Sequence, residues 1–316
     1  MPKTIFITDY SFANLEPERA ALAGSVIRNA QCKTAADVIA QAGDADVLMV
    51  QWAPITAEVL DALPRVRLVV RYGIGVDNVD LAAASARGVV VCNVPDYSID
   101  EVADHTVALA LSLGRQLSAI DARTRGCVWK LAPVSPMPAF REMTFAVAGF
   151  GRIGRSVLER ARPFKFRLAA YDPVVPAAEF ERLGVQRLEL DTLFREADVL
   201  SLHSPLLPQT KHLVNAHRLA TMKPAAVVVN TARGGLVDTV ALATALKDRR
   251  IGFAGLDVFE DEPLPADHPL RQCDNALLTS HVAWYSERSL EQLQRLAAEE
   301  AARFVRGEPV MNRVNQ

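Results

Sequence analysis

Short apolar runs of four or five residues alternate along the chain with Ala- and Leu-rich stretches of helical period. Residues 4–8, 47–51, 68–71 and 89–92 are apolar at most positions, as strands buried on both faces of a parallel sheet must be. Helices fill the gaps, so residues 1–98 read as a small α/β unit. From Asp100 to about Asp121 apolar positions recur with helical period behind a cap at Ser98 or Asp100, which predicts one helix long enough to bridge two domains. A proline-bearing loop is expected at 131–140. Further strands are expected at 144–149, 168–171, 199–202, 226–230, 253–258 and 276–280, the strand count of a full doubly wound domain. Residues 286–306 read as a last helix with no sheet of their own, so the chain is expected to return to its first domain.

Composition narrows the class without changing this picture. The chain has 316 residues, half of them apolar, which suits two domains with large cores. A net charge of -2 with scattered basic residues gives no field for nucleic acid or an anionic membrane surface. Cys32, Cys92, Cys127 and Cys273 are far apart and form no Cys-x-x-Cys pair, so neither a metal site nor a disulfide framework is expected. The N-terminus enters a strand-like run with no signal-peptide pattern, and no apolar stretch approaches the roughly 18 residues of a membrane span. The expected compartment is the cytoplasm.

The first chemical signal is Gly149-Phe-Gly151-Arg152-Ile153-Gly154, directly after a strand and at the start of a helical stretch. In a dinucleotide-binding fingerprint the first glycine makes the tight turn, the second admits a pyrophosphate and the third lets helix pack on strand. Asp172 follows the last glycine by 18 positions at the end of the next strand, where an acid can accept from ribose hydroxyls. Pro173 and Val174 come next rather than an arginine suited to a 2′-phosphate, so NAD is favoured over NADP. The lesser alternative is that Asp172 only closes a strand in an Asp-Pro turn. Another strand ends in Ser201-Leu-His203-Ser-Pro205, a loop placed to cover the nicotinamide side, although a strand-end histidine serves structure as often.

Three chargeable residues stand just past strand ends, where open α/β sheets hold ligands. Arg233 lies in Thr231-Ala232-Arg-Gly-Gly235, Glu262 in Phe259-Glu-Asp-Glu-Pro263, and His281 directly after the last strand. A guanidinium can hold the carboxylate and carbonyl of a 2-oxo acid with fixed donors. A glutamate on a histidine orients the ring and favours imidazolium, ready to protonate a carbonyl oxygen. In the first half, Arg71-Tyr72-Gly73-Ile74-Gly75 follows a strand, and consecutive N–H groups in such a turn can form a carboxylate nest. Trp52, Tyr72 and Trp284 are candidates for an aromatic-lined pocket or for core.

Through the 71–78 stretch, the glycine fingerprint, Val229-Asn-Thr-Ala-Arg-Gly-Gly-Leu-Val-Asp238, Leu256-Asp-Val-Phe-Glu-Asp-Glu-Pro263 and His281, the sequence resembles the D-isomer-specific 2-hydroxyacid dehydrogenases over nearly its whole length. The resemblance implies a Rossmann nucleotide domain, 99–285, inserted into a flavodoxin-like substrate domain, 1–98 plus 286–316. It implies an NAD-dependent oxidoreductase that interconverts a D-2-hydroxy acid and its 2-oxo acid. Arg233 would bind substrate, His281 act as acid/base, Glu262 support it, and Asp257, Thr231 and Ala232 border the cofactor. Glutamate at 262 sets the chain apart from formate dehydrogenases, which carry glutamine there. His281-Val-Ala-Trp284 resembles the branch containing the C-terminal-binding protein co-repressors, which makes Trp284 a candidate substrate contact and an NAD(H)-sensing scaffold the alternative function. Set beside the extended termini of those co-repressors and the regulatory domain of many phosphoglycerate dehydrogenases, the 316 residues lead to the expectation of a compact metabolic enzyme. A homodimer through the nucleotide domain is also implied.

Overall fold

The computed structural model describes residues 2–130 and 136–316, so part of the expected loop, 131–135, lies outside the described residues. The chain forms two compact units, one of Met1–Ser98 with Tyr285–Gln316 and the other of Ile99–Trp284. The first holds a five-stranded sheet of β1 (Thr4–Ile7), β2 (Val26–Asn29), β3 (Val47–Val50), β4 (Leu68–Arg71) and β5 (Val90–Cys92), in the order β2-β1-β3-β4-β5. Every pairing is parallel. β2 is not foreshadowed by the apolar pattern, because this edge strand is mostly exposed and reads Val-Ile-Arg-Asn. The last helix, Glu287–Val305, buries Leu293, Ala297, Ala298, Ala301 and Ala302 in this unit. It opens with a capping box between Ser286 and Ser289, which satisfies two end groups that a helix otherwise leaves unpaired.

The second unit holds β6 (Thr144–Ala148), β7 (Arg167–Tyr171), β8 (Gln186–Arg187), β9 (Val199–Leu202), β10 (Val227–Asn230), β11 (Phe253–Leu256) and β12 (Ala276–Leu278). Their order is β12-β11-β10-β9-β6-β7-β8, again all parallel. Successive residues of β6 feed different cores: Phe145 and Val147 enter one apolar cluster, Ala146 and Ala148 the other. The sheet is therefore covered on both faces, which is why its strands carry unbroken apolar runs. Each fully buried Val, Leu or Phe contributes about 1.5–3 kcal/mol through lost contact with water.

The expected helix from Asp100 to Asp121 is two helices, Ile99–Gly114 and Leu117–Arg125, parted by Gln116 in the left-handed region at φ 54°. Apolar residues at 113, 117 and 120 keep helical spacing across the break and conceal it in the sequence. The first helix buries Val102, Thr106, Val107, Leu109, Ala110 and Leu113, whereas no residue of the second is buried. Among the described residues, no helix is long and apolar enough to cross a membrane.

Candidate active site

The chain runs outward from β6 in both directions, to β7 on one side and β9 on the other, so the β6–β9 border is the topological switch point where such sheets hold ligands. Along the carboxyl edge, from β7 to β12, lie Asp172, the glycine loop, His203, Arg233, the Asp257–Glu262 loop and His281. Five strand spacings of about 4.8 Å make this row roughly 24 Å long.

Two of the fingerprint glycines are required by the chain itself. Gly149 has φ 101°, and a Cβ there would lie 2.5 Å from the His203 carbonyl carbon; one on Gly154 would lie 2.1 Å from the Gly149 oxygen. A Cβ on Gly151 would meet no atom within 4 Å. Packing does not demand the middle glycine, and the space it leaves borders the start of helix Arg152–Ala161. The N–H groups at the start of a helix, with its dipole, suit an anionic group such as a pyrophosphate. Arg152 is exposed there and Ile153 packs beside the core. Asp172 serves its turn and the glycine loop together: Oδ1 accepts from the N–H groups of Val174 (2.9 Å) and Val175 (3.2 Å), and Oδ2 from that of Phe150 (2.9 Å). A carboxylate has about four acceptor positions, so this bracing and a ribose contact are compatible.

His203 is half-buried, with Nε2 2.9 Å from the Ser201 hydroxyl, and loss of water pushes its imidazole down to about 3. It is thus neutral at physiological pH and adds no charge beside the glycine loop. Pro205 is exposed in the same loop, where its carbonyl accepts from Thr210 Oγ1 at 2.7 Å.

At the other end of the row, Asn230 braces the turn carrying Arg233: its Nδ2 donates to the Arg233 carbonyl at 2.9 Å and its Oδ1 accepts from Ala232 N at 3.1 Å. The buried Thr231 hydroxyl meets that of Thr106 at 2.7 Å. A Cβ on Gly234 would lie 1.9 Å from the Phe259 carbonyl, so only glycine lets the Arg233 turn press on the loop that carries Glu262. In that loop Glu262 Oε1 accepts from Phe259 N at 2.9 Å, and Oε2 meets His281 Nδ1 at 2.7 Å. Burial opposes charge on Glu262, but the His281 hydrogen bond and charge, with the Phe259 N–H, outweigh it and hold the carboxyl below its usual range.

His281 has φ 56°, a left-handed conformation that costs a non-glycine residue about 1–2 kcal/mol. Asp257 offsets this. Its carbonyl accepts from His281 N at 2.8 Å, Oδ1 from Val282 N at 3.0 Å, and Oδ2 from Ala283 N at 2.9 Å. Oδ1 also accepts the Thr279 hydroxyl at 2.5 Å. Asp257 is 1% exposed, so its carboxylate holds the histidine turn rather than presenting a surface to a cofactor. Trp284 Nε1 donates to the His281 carbonyl at 2.9 Å and braces the same turn.

The candidate substrate loop of the first unit differs from expectation. Tyr72 is 1% exposed and donates its hydroxyl to Glu18 at 2.9 Å, so its side chain is core and lines no pocket. Arg71 is buried, with its guanidinium 5.4 Å from the centre of the Trp52 ring. Gly73 N donates to the Arg71 carbonyl at 2.9 Å, which removes one donor from the expected nest. Ile74 and Gly75 are half-buried, and the Ile74 carbonyl accepts from Asn93 Nδ2 at 2.6 Å. The residues missed by sequence reasoning are Thr106, Thr279 and His105; the one signal for the first and last is that Thr106 and His105 are polar positions next to the apolar run Val107-Ala-Leu-Ala-Leu111, and Thr279 has none beyond its place at a strand end.

Fold and edge residues together define a dinucleotide-binding α/β protein with a glutamate-held histidine on its ligand edge. Residues 107–283 match the model for "D-isomer specific 2-hydroxyacid dehydrogenase, NAD binding domain". A glyoxylate reductase of Korarchaeum cryptofilum is 38% identical over 284 residues, 88% of this chain and 85% of that protein. D-3-phosphoglycerate dehydrogenase of Mycobacterium tuberculosis is 40% identical over 279 residues, 88% of this chain and 52% of that protein. The chain thus spans about half the length of the phosphoglycerate dehydrogenases it matches. A D-lactate dehydrogenase from Aquifex aeolicus, solved with NAD and lactic acid, superposes with a TM-score of 0.89 at 29% identity over 96% of both chains. The chain belongs to the D-isomer specific 2-hydroxyacid dehydrogenase family and carries its NAD-binding domain.

Proposed function

We propose that the protein is an NAD-dependent oxidoreductase interconverting a D-2-hydroxy acid and its 2-oxo acid. The observation that carries this reading is the 2.7 Å His281–Glu262 pair on the same sheet edge as the glycine loop. The loop Gly149–Gly154, with Asp172, would hold the dinucleotide, and Thr231, Ala232, His203 and Pro205 would border it. NAD(H), when bound, accepts or supplies a hydride at its nicotinamide. With Nδ1 on Glu262, His281 exchanges a proton with the substrate oxygen through Nε2: it donates in reduction and accepts in oxidation. Glu262 favours the charged imidazole before donation. Arg233 fixes the carboxylate and polarises the carbonyl.

The test is a panel of glyoxylate, hydroxypyruvate, pyruvate and phenylpyruvate with NADH, and NADPH as control. At least one should consume NADH, at a rate about tenfold or more above that with NADPH, since a 2′-phosphate beside Asp172 meets a like charge. No NADH consumption across the panel overturns the reading, and equal rates with NADPH overturn the role of Asp172.

Trp284, three residues after His281, is the feature that favours a scaffold of the co-repressor kind. NADH-dependent partner capture without turnover on any of these acids would decide for it. We also propose a homodimer through the second unit. Helix Leu117–Arg125 has no buried residue, with exposed Leu117 and Ile120 on it and Val128 and 88%-exposed Trp129 just beyond, an apolar set that self-association would cover. Sedimentation should give a dimer for the wild type and a monomer for Trp129→Glu; a monomeric wild type ends the proposal.

A further inference from the structure

Helix Ile99–Gly114 does more than cover the second sheet. Two consecutive residues reach opposite parts of the candidate site: Thr106 meets Thr231 beside the Arg233 turn, and His105 meets Thr279 at the end of β12. His105 Nε2 lies 3.1 Å from Thr279 Oγ1 and 3.8 Å from Asp257 Oδ1. The Thr279 hydroxyl has one hydrogen, and the 2.5 Å bond to Asp257 Oδ1 takes it, because an ionised carboxylate can only accept. His105 must therefore be the donor to the remaining lone pair of Thr279, which fixes its proton on Nε2. A directed chain results, from His105 through Thr279 to Asp257, ending on the residue whose three oxygens accept the N–H groups of His281, Val282 and Ala283.

We infer that His105 is a positioning residue for His281. It reaches no reacting atom. Its donated hydrogen bond holds Thr279 in the rotamer that feeds Asp257, and a buried carboxylate keeps its geometry only while its partners are all in place. Asp257 then keeps the His281 turn in its left-handed conformation. The inference rests on the reading of His281 as acid/base for its catalytic consequence, but the hydrogen-bond chain is testable without turnover.

Amide hydrogen exchange at 281–283, followed by mass spectrometry on the full chain, is the direct measurement. His105→Leu and Thr279→Val should each speed exchange there by about tenfold, the factor that one ordinary hydrogen bond supplies. The double variant should be no faster than Thr279→Val alone, since both cut one chain. His105→Gln, whose amide can place a donor near the Nε2 position, should stay within about twofold of wild type by the same reasoning. With the 2-oxo acid that the wild type reduces fastest, His105→Leu should lower kcat by about tenfold with KM and NADH affinity unchanged, and His105→Gln should restore it. Wild-type exchange in His105→Leu, or additive effects in the double variant, overturns the inference. If exchange responds as expected while His281→Ala keeps its turnover, the acid/base reading fails and the hydrogen-bond chain stands.

Discussion

Replacing His281 by alanine is expected to lower kcat for 2-oxo acid reduction by about 10²–10⁴-fold, the range a positioned acid/base contributes. NADH affinity should change by less than about twofold, because the glycine loop and Asp172 stand on β6 and β7, four and five strand positions away from β12. Stopped-flow turnover with NADH fluorescence titration separates the two quantities, and undiminished turnover would refute the role of His281. Glu262→Gln should act in the same direction with a smaller loss of about tenfold, since the amide still accepts from His281 but no longer favours its charge. The Glu262 carboxyl lies below its usual value of 4.5. Its contribution to stability is therefore full above pH 4.5 and lost as pH falls through the lower native value. The difference in thermal midpoint between wild type and Glu262→Gln should be flat from neutral pH down to that point and shrink below it.

What the sequence disclosed, and what it hid, follows from how each feature is encoded. The central strands were legible because burial on both faces forces an apolar residue at nearly every position, as in Val227-Val-Val or Val47-Leu-Met-Val. β2 and β8 were not, since an edge strand of Val-Ile-Arg-Asn or Gln-Arg is held by its neighbour's backbone and by no pattern of its own. The break at Gln116 was hidden for the opposite reason: its apolar residues keep helical spacing although those beyond it are not buried. Gly149, Arg233, Glu262 and His281 were readable because local glycines and strand ends bring them to one edge. The bracing around them was not, because it joins distant positions: Asp257 with 281–283, Thr106 with Thr231, His105 with Thr279. Tyr72 shows the reverse error, in which a residue inside a suggestive motif is core because Glu18, 54 positions away, accepts its hydroxyl.

Arg233→Ala should reduce kcat/KM for the 2-oxo acid by about 10²–10³-fold, since two hydrogen bonds to a charged group contribute about 1.5–3 kcal/mol each and are not fully additive. Most of the loss should fall on KM if Arg233 holds the carboxylate equally in ground and transition states, and on kcat if it polarises the carbonyl as hydride arrives. Arg233→Lys distinguishes charge from shape, because an ammonium keeps the charge but not the planar fork. The turn is held between the Asn230 amide and the Phe259 backbone, with no room even for a Cβ on Gly234, so the backbone is poorly able to shift to compensate. Lysine should therefore recover no more than about tenfold of the loss. Full activity in Arg233→Ala would mean that another cation binds the substrate. Full activity in Arg233→Lys alone would mean that charge suffices there, and that orientation of the carbonyl against His281 is set by the histidine turn.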